Sequence, residues 1–228
     1  VSAAFFVACG QQDQHPNQLT DAEKEEGWEL LFDGESLTGW HLYNKEGVKS
    51  TWEVSNGELV CNQDADAEHG DLVTDREFDN YELTFEWKIP QGGNSGVFIN
   101  VVEAADDKAA WFSGPEYQLL EDTHPDFVVP VKRSGCLYGF SPQLSSANNR
   151  PLGEWNQSLI RQQDGKVQFY LNGNLTAEQD FTSEAWADSV ANSGFKNYPN
   201  FGKYTKGKIA LQEWSSGISF RNIKIRNL

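Results

Sequence analysis

Basic residues are scarce in this chain: 18 Lys and Arg stand against 34 Asp and Glu, giving a formal net charge of −16 over 228 residues. Nowhere do those few cations gather into a patch. Nucleic acid and anionic membrane surfaces are met by clustered Lys and Arg, so both are excluded as partners, and a neutral or cationic ligand fits the charge better. Cysteine is equally sparse, at three residues. Neither a Cys-x-x-Cys nor a His-x-x-x-His spacing occurs, so no zinc centre is expected. Carboxylates and carbonyls here could hold a hard cation such as calcium, but no loop has a dedicated spacing, so no cofactor is predicted. No stretch of the body approaches the roughly 18 consecutive apolar residues of a transmembrane helix, and no repeat of fixed period is present.

What is present starts with an apolar run, Val1 to Ala8. Within it Phe6-Val7-Ala8-Cys9-Gly10 places small residues before a cysteine, as at the end of a bacterial lipoprotein signal, and makes Cys9 the expected lipid acceptor. The basic beginning of such a signal would precede this numbering. Gly10 to Gln18 is polar and contains proline, the composition of a tether. The expected organisation is a residual signal segment over 1–9, a polar tether and short helix over 10–26, and a single domain over 27–228. An exported protein is expected, periplasmic or anchored at the outer membrane of a bacterium, with membrane contact only through lipid at Cys9. Cys61 and Cys136 either pair in an oxidising compartment or stay as small buried hydrophobes.

The body has 38% hydrophobic and 13% aromatic residues, including 8 Trp and 14 Phe, enough for a substantial core in one domain. Tyr81 to Ile89 alternates apolar with polar throughout, the pattern of an antiparallel strand with one buried face. Gly96 to Val102, Lys166 to Leu171, Lys208 to Leu211 and Ile218 to Arg226 add further strands between Gly, Asn, Asp and Ser clusters. Asn172-Gly173 predicts a tight hairpin. In the last strand the apolar parity changes between Phe220 and Ile223, which predicts a bulge near Arg221-Asn222. Thr20 and Glu23 have capping-box spacing, so a short helix is expected over Asp21 to Glu26, and a second over Ser183 to Val190. Strands and turns without βα alternation indicate an all-β, two-sheet antiparallel sandwich.

One segment concentrates chemistry. Gly114-Pro115-Glu116-Tyr117-Gln118-Leu119-Leu120-Glu121-Asp122-Thr123-His124-Pro125-Asp126 gathers carboxylates, an amide and an imidazole around a short apolar run, and buried charge is tolerated only when paired or used. As an extended strand it puts Glu116, Gln118 and Leu120 on one face and Tyr117, Leu119 and Glu121 on the other. Gly92-Gly93-Asn94-Ser95-Gly96 breaks a strand where backbone must turn or approach a ligand, with Asn94 and Ser95 offering hydrogen bonds. Tyr138, in Gly135 to Gly139, either stacks on a sugar or packs in the core. Trp155 reads as structural. If Leu211 enters the core, Gln212 opposes it, and Gln212 and Glu213 become candidates for a site wall.

Taken in order, Leu31 to Trp40, Gly92 to Gly96, Gly114 to Asp126, Gly135 to Tyr138, Gly153 to Asn156, Leu171-Asn172-Gly173 and Lys208 to Leu228 resemble the 3-keto-disaccharide hydrolase domain family. The resemblance spans about Trp28 to Leu228. It implies a concanavalin-like jelly roll, a carbohydrate substrate, and an exported bacterial enzyme that processes 3-keto-glycosides. Two departures bear on substrate choice and activity: Glu213-Trp214-Ser215 stands where many members have Asp-His-Gly, and Asn100 where many have Arg.

The implied reaction removes the proton at C2 of a 3-keto-sugar, expels the C1 aglycone and hydrates the product. It needs a base near C2, donors to the C3 oxygen and an acid near the glycosidic oxygen. Glu116, Asp122 and His124 are the candidates for base and acid, with the base either Glu116 or His124. Asn94, Gln118, Gln212 and Tyr138 are candidates for the donors. Two rivals use the same fold. Glu116 to Glu121 is similar to the Glu-x-Asp-x-x-Glu strand of jelly-roll β-glucanases, with Gln118 for the central Asp; retaining hydrolysis would need the two Glu carboxyls about 5–5.5 Å apart, which requires a bulge. A carbohydrate-binding module without chemistry is the other.

Overall fold

The computed structural model of the chain describes residues 15–214 and 217–228. Cys9, the expected lipid acceptor, and the first part of the tether lie outside the described residues.

Helix α1 (Asp21–Glu25) starts as its sequence requires. Thr20 accepts from the Glu23 N–H while the Glu23 carboxylate accepts from the Thr20 N–H, completing the capping box. Strands β1 (Glu29–Leu30), β2 (Trp40–Leu42), β3 (Trp52–Ser55), β4 (Glu58–Cys61), β5 (Leu72–Thr74), β6 (Tyr81–Lys88) and β7 (Asn94–Val101) follow. After them come β8 (Glu116–Leu120), β9 (Asn156–Gln163), β10 (Lys166–Leu171), β11 (Asn174–Asp180), helix α2 (Glu184–Ala191), β12 (Lys208–Leu211) and β13 (Ile218–Asn227). The strands pair into two antiparallel sheets. One has eight strands in the order β11-β10-β9-β6-β13-β4-β3, with β1 also on β13; the other has five, in the order β2-β5-β12-β7-β8. No helix among the described residues is long and apolar enough to cross a membrane.

This is the expected jelly-roll sandwich, and its core follows from alternation. Leu83, Phe85 and Trp87 of β6 meet Val97 and Ile99 of β7 and Tyr117 and Leu119 of β8 in one apolar cluster, every one of them at most 1% exposed. The hairpin joining β10 to β11 turns on Asn172 and Gly173 at φ of 47° and 84°, both left-handed, as an Asn-Gly turn demands. The expected bulge in β13 is present: Asn222 has φ of 51°, and the register against β6 shifts between Arg221 and Lys224, so Phe220, Ile223 and Ile225 all reach the core. Ser183 caps α2 through the Trp186 N–H, one residue from where the pattern placed the helix.

Two polar links cross the sandwich. Asn100 adopts φ of 57°, which turns its amide inward to exchange hydrogen bonds with Gln162 of β9 at 2.8 and 3.1 Å. Tyr117 and Ser158 hydroxyls meet at 2.8 Å. Cys61 and Cys136 take the second of their two expected roles: both are buried and unpaired. Burial pushes their thiols up, to about 12 and about 11 respectively, so they are inert.

Candidate active site

The same alternation decides which side chains of the five-stranded sheet point away from the core. Leu72, Val97, Tyr117, Leu119 and Leu211 turn inward. Their neighbours Asp71, Gly96, Glu116, Gln118 and Gln212 therefore turn outward. Register then aligns them. Gln118 stands opposite Gly96 and Leu211 opposite both Val97 and Leu72, while the Gln212 N–H donates to the Gly96 carbonyl at 2.9 Å. The result is a row, Gln118 of β8, Gly96 of β7, Gln212 just after β12 and Asp71 just before β5. Pairing between β7 and β8 runs without a shift from Asn94–Leu120 to Phe98–Glu116.

Gly96 forms the floor. A Cβ there would lie 2.1 Å from Glu116 Oε1, so the carboxyl group leans over the one residue that leaves room for it. Glu116 is 8% exposed and Gln118 1%. Gln118 donates its amide nitrogen to Asn94 Oδ1 at 2.9 Å, which commits that nitrogen and turns the amide oxygen free. Glu116 Oε1 and Gln118 Oε1 are both buried without a hydrogen-bond partner. Leaving such an acceptor unsatisfied costs about 1–3 kcal/mol, which marks a place where a ligand or solvent donor belongs.

Electrostatics set Glu116 apart further. Burial, and next the charge of Asp71, hold its pKa well above the ordinary carboxyl range. Asp71 is itself raised, to about 6: burial pushes it up, against hydrogen bonds from the Ala110 N–H at 2.9 Å and the Glu213 N–H at 3.2 Å. Asp71 is a functional candidate that the sequence reading passed over. Its signal was an acid at the outward parity of the short strand in Gly70-Asp71-Leu72-Val73-Thr74.

The other predicted residues divide. Gln212 and Glu213 border the row as a candidate wall: Glu213 contacts His69 Nδ1 through Oε1 at 2.7 Å and accepts from the Gly70 N–H through Oε2. Ser95 faces the other way and supports the wall from behind, donating its hydroxyl to the Gln212 carbonyl at 2.8 Å. Tyr138 lies on the segment bordering β8, where its N–H donates to the Glu116 carbonyl at 3.0 Å; its half-buried ring stands 5.9 Å from Lys132 Nζ. Asp122 and His124 do not join Glu116, because β8 ends at Leu120. Asp122 is exposed and accepts from Asn149 Nδ2 at 2.6 Å. His124 Nδ1 accepts from the Asp126 N–H at 3.1 Å, capping the turn over Pro125–Val128.

Glu121 also leaves the strand, and its Oε2 accepts from the Gly92 N–H at 2.7 Å and from Thr123. Burial pushes its carboxyl up, but those hydrogen bonds outweigh it and hold the pKa below the ordinary value. The bulge that would set Glu116 and Glu121 on one face is absent from β8, as the unbroken register shows. Among the described residues no group of three or more His, Cys, Asp and Glu is placed to hold a metal ion.

Likeness to known proteins falls on the same body. Residues 27–226 match the family described as the 3-keto-alpha-glucoside-1,2-lyase-like domain. A 3-keto-disaccharide hydrolase of Bacteroides thetaiotaomicron is 31% identical, over 89% of this chain and 79% of the relative. The crystal structure of a candidate glycosyl hydrolase from Parabacteroides distasonis superposes with a TM-score of 0.84 at 34% identity, covering 94% of this chain and 100% of that one. A second from the same organism gives 0.67 at 25% identity, over 88% and 99%.

Proposed function

The chain belongs to the 3-keto-alpha-glucoside-1,2-lyase-like domain family, and from that premise we propose that it is a glycosidic-bond hydrolase acting on 3-keto-glycosides, with Glu116 as the base. The observation that carries this reading is the pair of orphaned oxygens, Glu116 Oε1 and Gln118 Oε1, above the glycine floor. A hydroxyl-rich ring supplies the donors they lack.

The ketone at C3 acidifies the C2 proton, and the Glu116 carboxylate takes it. The electron pair first forms the enolate across C2 and C3. It then collapses into a C1–C2 double bond as the C3 carbonyl re-forms and the C1–oxygen bond breaks. The aglycone leaves with that bonding pair and receives the proton that Glu116 carried. Water then adds, hydroxyl to C1 and proton to C2, so one water is consumed and the free 3-keto-sugar and aglycone remain. Amide N–H groups of Asn94 and Gln212 are the donors to the C3 oxygen as it gains charge. A carboxylate whose ionisation is made difficult by burial is a correspondingly stronger base once ionised. Asp122 and His124, held in turn contacts, shape the loop after β8 in this reading.

The test compares a 3-keto-glucoside with its unoxidised parent, following aglycone release by the wild type and by Glu116→Gln. Release from the keto substrate alone, abolished by the substitution, is the expected result. Release from the parent would point to ordinary glycoside hydrolysis, and saturable binding without release to a binding module; either overturns the proposal. Export with lipid on Cys9 belongs to the same proposal. Cells fed an alkyne-tagged fatty acid are expected to label the protein and to leave Cys9→Ser unlabelled.

A further inference from the structure

Every aromatic side chain among the described residues is buried or half-buried except Trp214, which is 57% exposed. Its place is set by the wall of the site. Trp214 follows Gln212 by two residues, and Gln212 is fixed to β7 at both ends of its backbone, by its N–H on the Gly96 carbonyl and by the Ser95 hydroxyl on its own carbonyl. Between them, Glu213 ties its N–H to Asp71 and its carboxylate to Gly70 and His69. A chain pinned at three successive backbone groups carries an exposed indole two residues beyond the one tied to Gly96.

We infer that Trp214 is the platform for the aglycone. The inference rests on Glu116 as the base: the keto-sugar then sits over Gly96 with its C2 at the buried carboxyl, and the group on C1 must project toward solvent, past the end of β12. An exposed indole face there gains contact from a flat, apolar surface, either the C–H face of a pyranose or an aromatic ring. The chain's charge of −16 favours neutral aglycones over anionic ones.

The test uses three 3-keto-glucosides that share the ring and differ in the leaving group: a second glucose, a phenol and methanol. Trp214→Ala is expected to lower kcat/KM about fivefold to tenfold for whichever flat aglycone the site takes, sugar, phenol or both. It is expected to leave the methyl glycoside within twofold, and Trp214→Phe to restore most of the loss. An equal fall on all three substrates, or no change on any, overturns the platform while leaving the base assignment standing. Turnover of none by the wild type overturns the base assignment instead. The platform is then judged by calorimetric binding of the unoxidised disaccharide: weaker binding to Trp214→Ala supports it, and equal or absent binding to both proteins overturns it.

Discussion

On the outward face of the eight-stranded sheet Glu82 accepts from Arg161 and Arg226, each at 2.8 Å, Glu86 from Arg221 at 2.6 Å and Glu58 from Lys88 at 3.1 Å. On the outward face of the five-stranded sheet, Glu116 and Asp71 have no cationic partner among the described residues. Trp155 sharpens the contrast, since Lys88 and Arg221 lie over its ring at 4.5 and 4.2 Å, whereas Trp214 is 57% exposed and no cation is found over its ring among the described residues. One face spends its acids on holding strands together. The other keeps Glu116 and Asp71 buried without a cation beside them, a costly state that chemistry explains and packing does not.

The largest effect expected from this contrast is on turnover. Glu116→Gln should lower aglycone release from a 3-keto-glucoside by about 10²–10⁴-fold while leaving the protein folded, as measured by initial rates and a thermal melt. Full activity in that variant would break the comparison outright. Gly96→Ala should follow, because the new Cβ displaces the Glu116 carboxyl; a misplacement of that size costs about 10²-fold in kcat.

The opposite face should answer in stability and not in rate. Glu82→Gln removes the charge that joins Arg161 to Arg226 and should lower unfolding free energy by about 1–3 kcal/mol in a urea titration, with kcat/KM unchanged. A loss of turnover in a folded Glu82→Gln protein would erase the distinction between the faces.

The subtlest effects lie in pH. Because the folded protein holds Glu116 protonated above the ordinary value of 4.5, the native state binds more protons than the unfolded state as pH rises from there, and stability falls through that window until Glu116 ionises. Glu116→Gln removes this loss, so its advantage in Tm over the wild type should widen from pH 4.5 upward. The rising limb of kcat/KM should lie above the ordinary carboxyl range and move to lower pH in Asp71→Asn, which deletes the second cause of the shift. A falling limb there would make Glu116 the acid and not the base.

Much of the architecture was legible because it is written locally. Alternation in Tyr81 to Lys88, the Asn172-Gly173 turn, the Thr20–Glu23 capping box and the parity change before Ile223 each act within a few residues, and each is found where expected. The outward facing of Glu116, Gln118 and Gln212 was legible for the same reason, from strand parity, whereas Asn94 was singled out by the glycines around it. Asp71 was not, because its partners arrive from afar: Ala110 is 39 residues away and Glu213 142. Asp122 and His124 stand apart from Glu116 for the converse reason. They are near Glu116 along the chain, but the chain stops being a strand at Leu120, and proximity in sequence then no longer means a shared face. Asn100 shows how a backbone angle overrides parity, turning inward a position that alternation would have sent to the ligand face.

Asp71 gives this site an evolutionary asymmetry. One of its oxygens tethers Ala110, the other tethers Glu213, and its charge tunes Glu116. No single replacement preserves all three: asparagine keeps an acceptor but drops the charge, and glutamate keeps the charge at the wrong reach. A lineage that loses Asp71 must repair two tethers and a titration together, so change at this position is locked by epistasis. Trp214 carries no such burden. Under the platform inference, exchange of this one rim residue would alter the aglycone contact without touching those two tethers or the titration of Glu116.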